Sequence, residues 1–294
     1  MTAITERIDV GLLPLLKSPV AGGFWYRLAS RRLHRVHITS PEILYDDRSR
    51  LVFFSDSHRG DGGRADKFAP NEPLFRAALE HYYREGFTYI EVGDGDELWQ
   101  RWRFPHVRRA YGRIYDLLHR FHGGNRLHLI LGNHDIASTR RRAERRDGLP
   151  MHEGLTLRHS RSNQRIFVVH GHQADFKSDR MHPFSRFAVR HLWPHLQRLG
   201  IRGWKREERY KIEKRIIRWA DEQHQAVICG HTHRPMSARY GEPAYFNTGS
   251  CLTRGLLSGL EIVGNAILPI RWLWSDGRMR REQVGPARRL RVFA

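Results

Sequence analysis

In the stretch AVICGHTHRPM (226–236), an apolar run stops at Gly230 and two histidines follow one residue apart, His231 and His233. Imidazoles bind cations. In a chain with 19 histidines, however, one His-x-His taken alone is more readily a polar turn at the end of a buried strand. What decides between the two is company. Asp56 and His58 stand in SDSHRGDGG (55–63), Asp94 in GDGDELW (93–99), Asn133 and His134 in GNHD (132–135), and His170 in HGH (170–172). Every one offers oxygen or nitrogen, and none is a thiolate. Singly, each has a structural explanation, an Asp or Asn capping a turn or a His satisfied at a strand end. Five such places in one context point to a metal site.

That context is a strand that has just ended. RLVFF (50–54), FTYIEV (87–92), LHLIL (127–131), RIFVV (165–169) and AVIC (226–229) each run directly into one of these groups. Short β-branched or aromatic runs bounded by Gly and polar residues predict buried strands. Helical patterns lie between them. NEPLFRAALEHYYREG (71–86) offers Asn71 as N-cap, Pro73 in the first turn and Gly86 as stop. VRRAYGRIYDLLHRFHGG (107–124) predicts one helix closing on Gly123 and Gly124. After Cys251, LLSGLEIVGNAILPIRWLWSDGRM (256–279) alternates as closing strands do. Alternating strands and helices predict a layered α/β domain, in which ligands bind past the carboxyl ends of the strands.

In this order the groups resemble the calcineurin-like metallophosphoesterases. That family's pattern is D-x-H, G-D-x-x-D/E, G-N-H-D/E, an isolated His and G-H-x-H. It is matched here by Asp56-Ser57-His58, Gly93-Asp94 with Glu97, Gly132-Asn133-His134-Asp135, His170 and Gly230-His231-Thr232-His233, over residues 50 to about 255. The resemblance implies an αββα sandwich, two packed mixed β-sheets flanked by helices. It implies two divalent metal ions: one on Asp56, His58 and His233, the other on Asn133, His170 and His231, with Asp94 bridging. Two such cations clamp a phosphate and acidify a water between them. The donors suit Mn, Fe, Co or Zn, and Mn²⁺ is expected. His134 is implied to face the substrate, with Asp135 orienting its ring. It then either protonates the leaving oxygen or stabilises phosphoryl charge; a histidine that only supports the loop is the structural alternative. His172 is left as a substrate contact.

At 294 residues the chain allows one large domain or two small ones. The resemblance implies one, residues 46–294, after a basic and apolar arm, residues 1–45. With 40% hydrophobic and 28% charged residues, the chain is not of disordered composition. The interval from His170 to His231 is the widest between groups and holds a basic, aromatic, helical insertion, 176–225, read as a lid. Its Ile212, Ile216, Ile217 and Trp219 give an apolar helical face. This insertion, with CGHTHRP and YFNTGS, resembles the UDP-2,3-diacylglucosamine pyrophosphatases, although His170-Gly171-His172 stands where that branch has His-Gly-Asp. The expected substrate is a small phosphorylated molecule, nucleotide-linked or amphipathic, and no obligate protein partner is inferred.

The net charge of +20 keeps nucleic acid open as a partner and a nuclease as the alternative activity. A non-catalytic binding module is disfavoured, because ligands and His134 are all present. Basic runs such as TRRRAERR (139–146) are read as solvated faces. GLLPLLKSPVAGGFWYRLASRRLHRV (11–36) suits either peripheral contact with an anionic membrane or packing on the domain. No apolar run reaches the roughly 20 residues of a spanning helix, and the start lacks the pattern of a secretory signal. The expectation is a cytoplasmic protein, peripheral at most to the inner membrane surface. Cys229 and Cys251, the only cysteines, make neither a disulfide framework nor a thiolate metal motif.

Overall fold

The computed structural model describes residues 23–99, 103–136, 145–175, 206–239, 244–275 and 277–289. Residues 1–22 of the arm, 176–205 of the insertion and most of TRRRAERR lie outside them. Two sheets form the centre. In the larger, β2 (Arg50–Phe54), β3 (Thr88–Val92), β4 (Leu127–Ile130) and β6 (Leu149–His152) run parallel. β12 (Leu256–Val263), β13 (Ala266–Ser275) and β14 (Arg278–Gln283) extend one side antiparallel, as the alternation after Cys251 predicts. In the smaller sheet the order is β1 (Glu42–Tyr45), β7 (Gly154–His159), β8 (Arg165–Val169), β9 (Ala226–Cys229), β11 (Ala244–Asn247) and β10 (Met236–Arg239). There β8, β9 and β11 are parallel.

The pleat divides the side chains between layers. Leu51 and Phe53 of β2 point between the sheets, where they meet Leu155, Ile166, Val168 and Ile228. Val52 and Phe54 point outward onto helices α2 (Glu72–Arg84) and α4 (Gly112–Gly123), with Phe75, Leu79 and Leu118. Covered on both faces, such strands read as continuous apolar runs. On the other outer face, Phe167, Val169 and Val227 pack under α1 (Phe24–Thr39) and α5 (Arg206–Glu222). The result is the αββα sandwich.

Several local expectations change. Residues 107–124 form two helices, α3 (Phe104–Ala110) and α4, because Tyr111 leaves helical geometry to place its hydroxyl on Asp66 and its ring against Phe68. Asn71 does not cap α2 with its side chain. Its amide instead donates to the Cys251 and Thr253 carbonyls, and its Oδ1 accepts from Gly255. The described part of the arm is an integral layer: Leu33 and Val36 of α1 are buried, and β1 is the edge strand beside β7. Ile212, Ile216, Ile217 and Trp219 are also buried, in the layer beneath α1 and α5, so these side chains are core and not a face offered to substrate.

Candidate metal centre

The parallel strands of both sheets end at one rim, and the loops leaving them interlock. The backbone N–H groups of Asp56 and His58 donate to Gly93 and Asp94 carbonyls at 3.0 and 2.9 Å, continuing the β2–β3 pairing beyond the strands. His134 N–H donates to Asp94 Oδ1 at 2.8 Å, and His231 N–H donates to Asp56 Oδ2 at 2.9 Å. Each carboxylate therefore uses one oxygen to hold a neighbouring loop and keeps the other turned to the centre. Close approach explains two of the motif glycines. A Cβ at Gly93 would lie 2.5 Å from the His170 ring, and one at Gly132 would lie 2.0 Å from Asp94 Oδ1.

Asp56, His58, Asp94, His231 and His233 all hold positive φ, between 48° and 67°. Non-glycine residues avoid this left-handed region, at a cost of about 1–3 kcal/mol each. Five of the nine described non-glycine residues with positive φ fall on this rim. Concentrated strain of that kind is what a site imposes on its loops.

Three groups of donors result among the described residues. Asp56, His58 and His233 bring ligand atoms within 4.8 Å of one another, and so do Asp94, His170 and His231. The third, His58, Glu97 and His134, shares His58 with the first, and its carboxylate is a supporting one. His233 Nε2 lies 3.1 Å from Asp56 Oδ1. Asp94 Oδ2 stands between the first two groups, 3.1 Å from His170 Nε2 and 3.6 Å from His58 Nε2. Asn133 Oδ1 is buried with no hydrogen-bond partner among the described residues. A buried amide oxygen left so is costly unless a cation takes it. The donor set therefore fits a divalent metal.

The atoms behind the donors fix their orientation. His170 Nδ1 lies 2.8 Å from the Val92 carbonyl, to which its N–H donates, leaving Nε2 for the centre. Glu97 serves two rings, His58 Nδ1 at 3.2 Å and His134 Nδ1 at 2.9 Å. Burial opposes ionisation of Glu97, but His134 and then His58 hold its carboxyl well below the usual range. Burial likewise opposes charge on Asp94, and His170 and His134 outweigh it. Burial opposes charge on His170, yet Asp94 raises its pKa to about 9. A cation binding there must displace that proton.

Residues 50–259 match the calcineurin-like phosphoesterase superfamily domain. The chain belongs to that superfamily. It is a metallophosphoesterase, a hydrolase of phosphoester bonds. Among solved structures it is similar to Vacuolar Protein Sorting 29 of Cryptosporidium parvum (12% identity, 82% of this chain and 98% of that one, TM-score 0.44). It is also similar to Vps29 of Entamoeba histolytica complexed with Zn²⁺ (16%, 80% and 98%, TM-score 0.41). A conserved uncharacterized protein of Streptococcus pneumoniae, described as a predicted phosphoesterase, aligns with 16% identity over 80% of this chain and 97% of its own (TM-score 0.38). No curated protein matches the sequence.

In this metallophosphoesterase the geometry reassigns one expected role. Asp135 does not orient the His134 ring. It accepts backbone N–H groups from Asp94 and Gly132 at 2.8 Å and from Asp96 at 2.9 Å, and so ties the loops after β3 and β4 together. Glu97 takes the ring, and Trp99 stacks on it at 4.3 Å between centroids. Arg146, expected in a solvated basic run, is buried and bonds Asp135 Oδ1 at 2.7 Å and Asp96 Oδ2 at 3.0 Å. Arg59, also buried, pairs bidentately with Glu91 at 2.7 and 2.8 Å. Glu213 of α5 has no signature in the local sequence. Buried beneath the G-H-T-H loop, it accepts from Thr232 Oγ1 at 2.8 Å and pairs with Arg234. His172 lies beside the second group, its ring 5.5 Å from that of His170. The clustered acids of GDGDELW signal Asp96 and Glu97 only; no local pattern points to Arg146 or Glu213 as support.

Proposed function

We propose that the protein is a dinuclear hydrolase of a phosphoester or pyrophosphate bond in a small nucleotide-linked or amphipathic substrate. The observation that carries this is Asp94 Oδ2, placed between His170 Nε2 and His58 Nε2 with one donor group on each side. Asp56, His58 and His233 would hold one cation, Asn133, His170 and His231 the other, and Asp94 both. Two divalent ions, Mn²⁺ in this proposal, with Fe, Zn or Co fitting the same donors, supply Lewis acidity and an acidified water. His134 carries the proton chemistry. Its Nδ1–H donates to the Glu97 carboxylate, so a proton on Nε2 is the one available to the departing oxygen. Trp99 limits rotation of that ring and covers one face of it.

Within the insertion 176–225, α5 is core, so the lid role is proposed only for 176–205, which lie outside the described residues. The lipid-precursor pyrophosphatase branch belongs to this proposal, supported by the position of the insertion between His170 and His231. So does a cytoplasmic site of action at an anionic membrane face. Phe24 and Trp25 are 63% and 50% exposed at the start of α1, beside exposed Arg27 and Arg31. Among the described residues no helix is long and apolar enough to cross a membrane.

A hydrolysis screen with Mn²⁺ tests the proposal across monoesters, diesters, nucleotide-sugar diphosphates and oligonucleotides, with Asp94→Ala as control. Turnover of a small substrate by wild type alone, with metal lost from both positions in the variant, is expected. Full metal occupancy in Asp94→Ala would overturn the bridging role. The net charge of +20 favours a nuclease as the second reading. Oligonucleotide cleavage that falls steeply with salt would select it.

A further inference from the structure

A cavity of about 450 Å³ opens beside the second donor group. That volume is in the range of small-molecule sites. One wall is α1, with Arg32 and Arg35. The other is built from Leu131 at the end of β4, Ile136 after the G-N-H-D turn, Met151 of β6 and His172. His172 connects the cavity to the centre, since its ring lies 5.5 Å from that of His170 and 6.4 Å from that of His231.

The two walls differ in chemistry. Leu131, Ile136 and Met151 present apolar surface. Opposite them, Arg32 and Arg35 lie three residues apart and so on one helix face. Arg32 is held by Glu153, with its Nη1 and Nη2 each 3.0 Å from a carboxylate oxygen. Its side chain is 12% exposed, and the pair forms a fixed floor. Arg35 is exposed and makes no ion pair with an acid among the described residues. A planar guanidinium in that position recognises carboxylate or phosphate oxygens.

We propose that this cavity receives the part of the substrate beyond the scissile phosphorus, and that Arg35 reads a second anionic group there while the apolar wall takes a ring or chain. This rests on the phosphohydrolase proposal above and narrows it. The substrate is a phosphoester or pyrophosphate with further negative charge beyond the bond that breaks, as in a nucleoside diphosphate linkage. Arg35 thereby becomes a specificity residue contributed by the segment ahead of the first motif.

The test compares Mn²⁺-loaded wild type, Arg35→Ala and Arg35→Lys on p-nitrophenyl phosphate, which has no second anion, and on ADP-ribose, which has one. Arg35→Ala is expected to lose about tenfold more kcat/KM on ADP-ribose than on the nitrophenyl ester, mainly through KM, with Arg35→Lys recovering part of it. Calorimetric titration of metal-free protein with ADP supplies a readout without turnover, and about tenfold weaker binding to Arg35→Ala is expected. Equal loss on both substrates, or ADP binding that ignores Arg35 or is absent from wild type, would overturn the proposal. Hydrolysis of neither substrate, with ADP binding still dependent on Arg35, would overturn the small nucleotide-linked substrate proposed above and keep the pocket.

Discussion

His134 shows how one residue is prepared from three sides. Asp94 Oδ1 accepts its backbone N–H, Glu97 accepts from its Nδ1, and Trp99 stacks on its ring with 22° between planes. If the proton on Nε2 goes to the departing oxygen, loss of the ring matters in proportion to how badly that oxygen needs a proton. A nitrophenolate leaves readily without one, and an alkoxide does not. His134→Gln is therefore expected to slow an alkyl phosphoester by about 10²–10⁴-fold and an aryl ester far less, with metal content unchanged. Parallel slowing of the two esters with metals retained would mean that His134 stabilises phosphoryl charge instead. Loss of metal would mean that it only supports the loop. Steady-state kinetics beside metal analysis separates the three.

Helix α5 matters at the scale of the element, because it joins the core to the G-H-T-H loop. Trp219 and Ile216 anchor it in the sandwich, and Glu213 reaches Thr232 and Arg234 from the same helix. Trp219→Ala should cost about 3–5 kcal/mol of stability. Glu213→Ala takes the carboxylate from the largely buried Arg234, so it too should destabilise the metal-free protein, by about 3–5 kcal/mol. Because His231 and His233 flank Thr232, it should in addition weaken Mn²⁺ binding to the folded protein roughly 10–100-fold, a loss not expected of Trp219→Ala. Unchanged Mn²⁺ affinity in that variant would dismiss the coupling. This support could not be read from the chain, and the reason is physical. Strands β2, β8 and β9 end where their apolar runs meet polar residues or Gly, since period and punctuation are local properties. The seven candidate ligands gather at one rim because each follows a strand end. What local pattern does not encode is the partner of a buried charge. Glu97 serving two histidines, Arg146 reaching Asp135 and the break at Tyr111 are all set by contacts between distant segments.

Across the whole molecule, folding and metal loading should respond to pH in opposite directions. In the metal-free protein burial opposes charge on His58, but Asp56 and Glu97 hold its pKa well above the usual value, and Asp94 takes His170 to about 9. A group whose folded pKa is raised contributes stability that is complete below its unfolded value, near 6.5, and is lost as pH rises through the folded value. His172 and His233 are shifted the other way, by burial first, and so are already neutral above that point. From about pH 6.5 to 9 the metal-free protein should therefore lose stability, at about 1.4 kcal/mol per pH unit for each proton retained by the fold. The same protons compete with a cation for His58 and His170, so Mn²⁺ affinity should rise over that window. Ligand linkage converts the rising affinity into a rising Tm. Thermal unfolding from pH 6 to 9, with EDTA and with saturating Mn²⁺, should then give curves that diverge: falling without metal, level or rising with it. Two curves that stay parallel across the window would mean that these histidines do not exchange a proton for the metal, and would remove them as ligands.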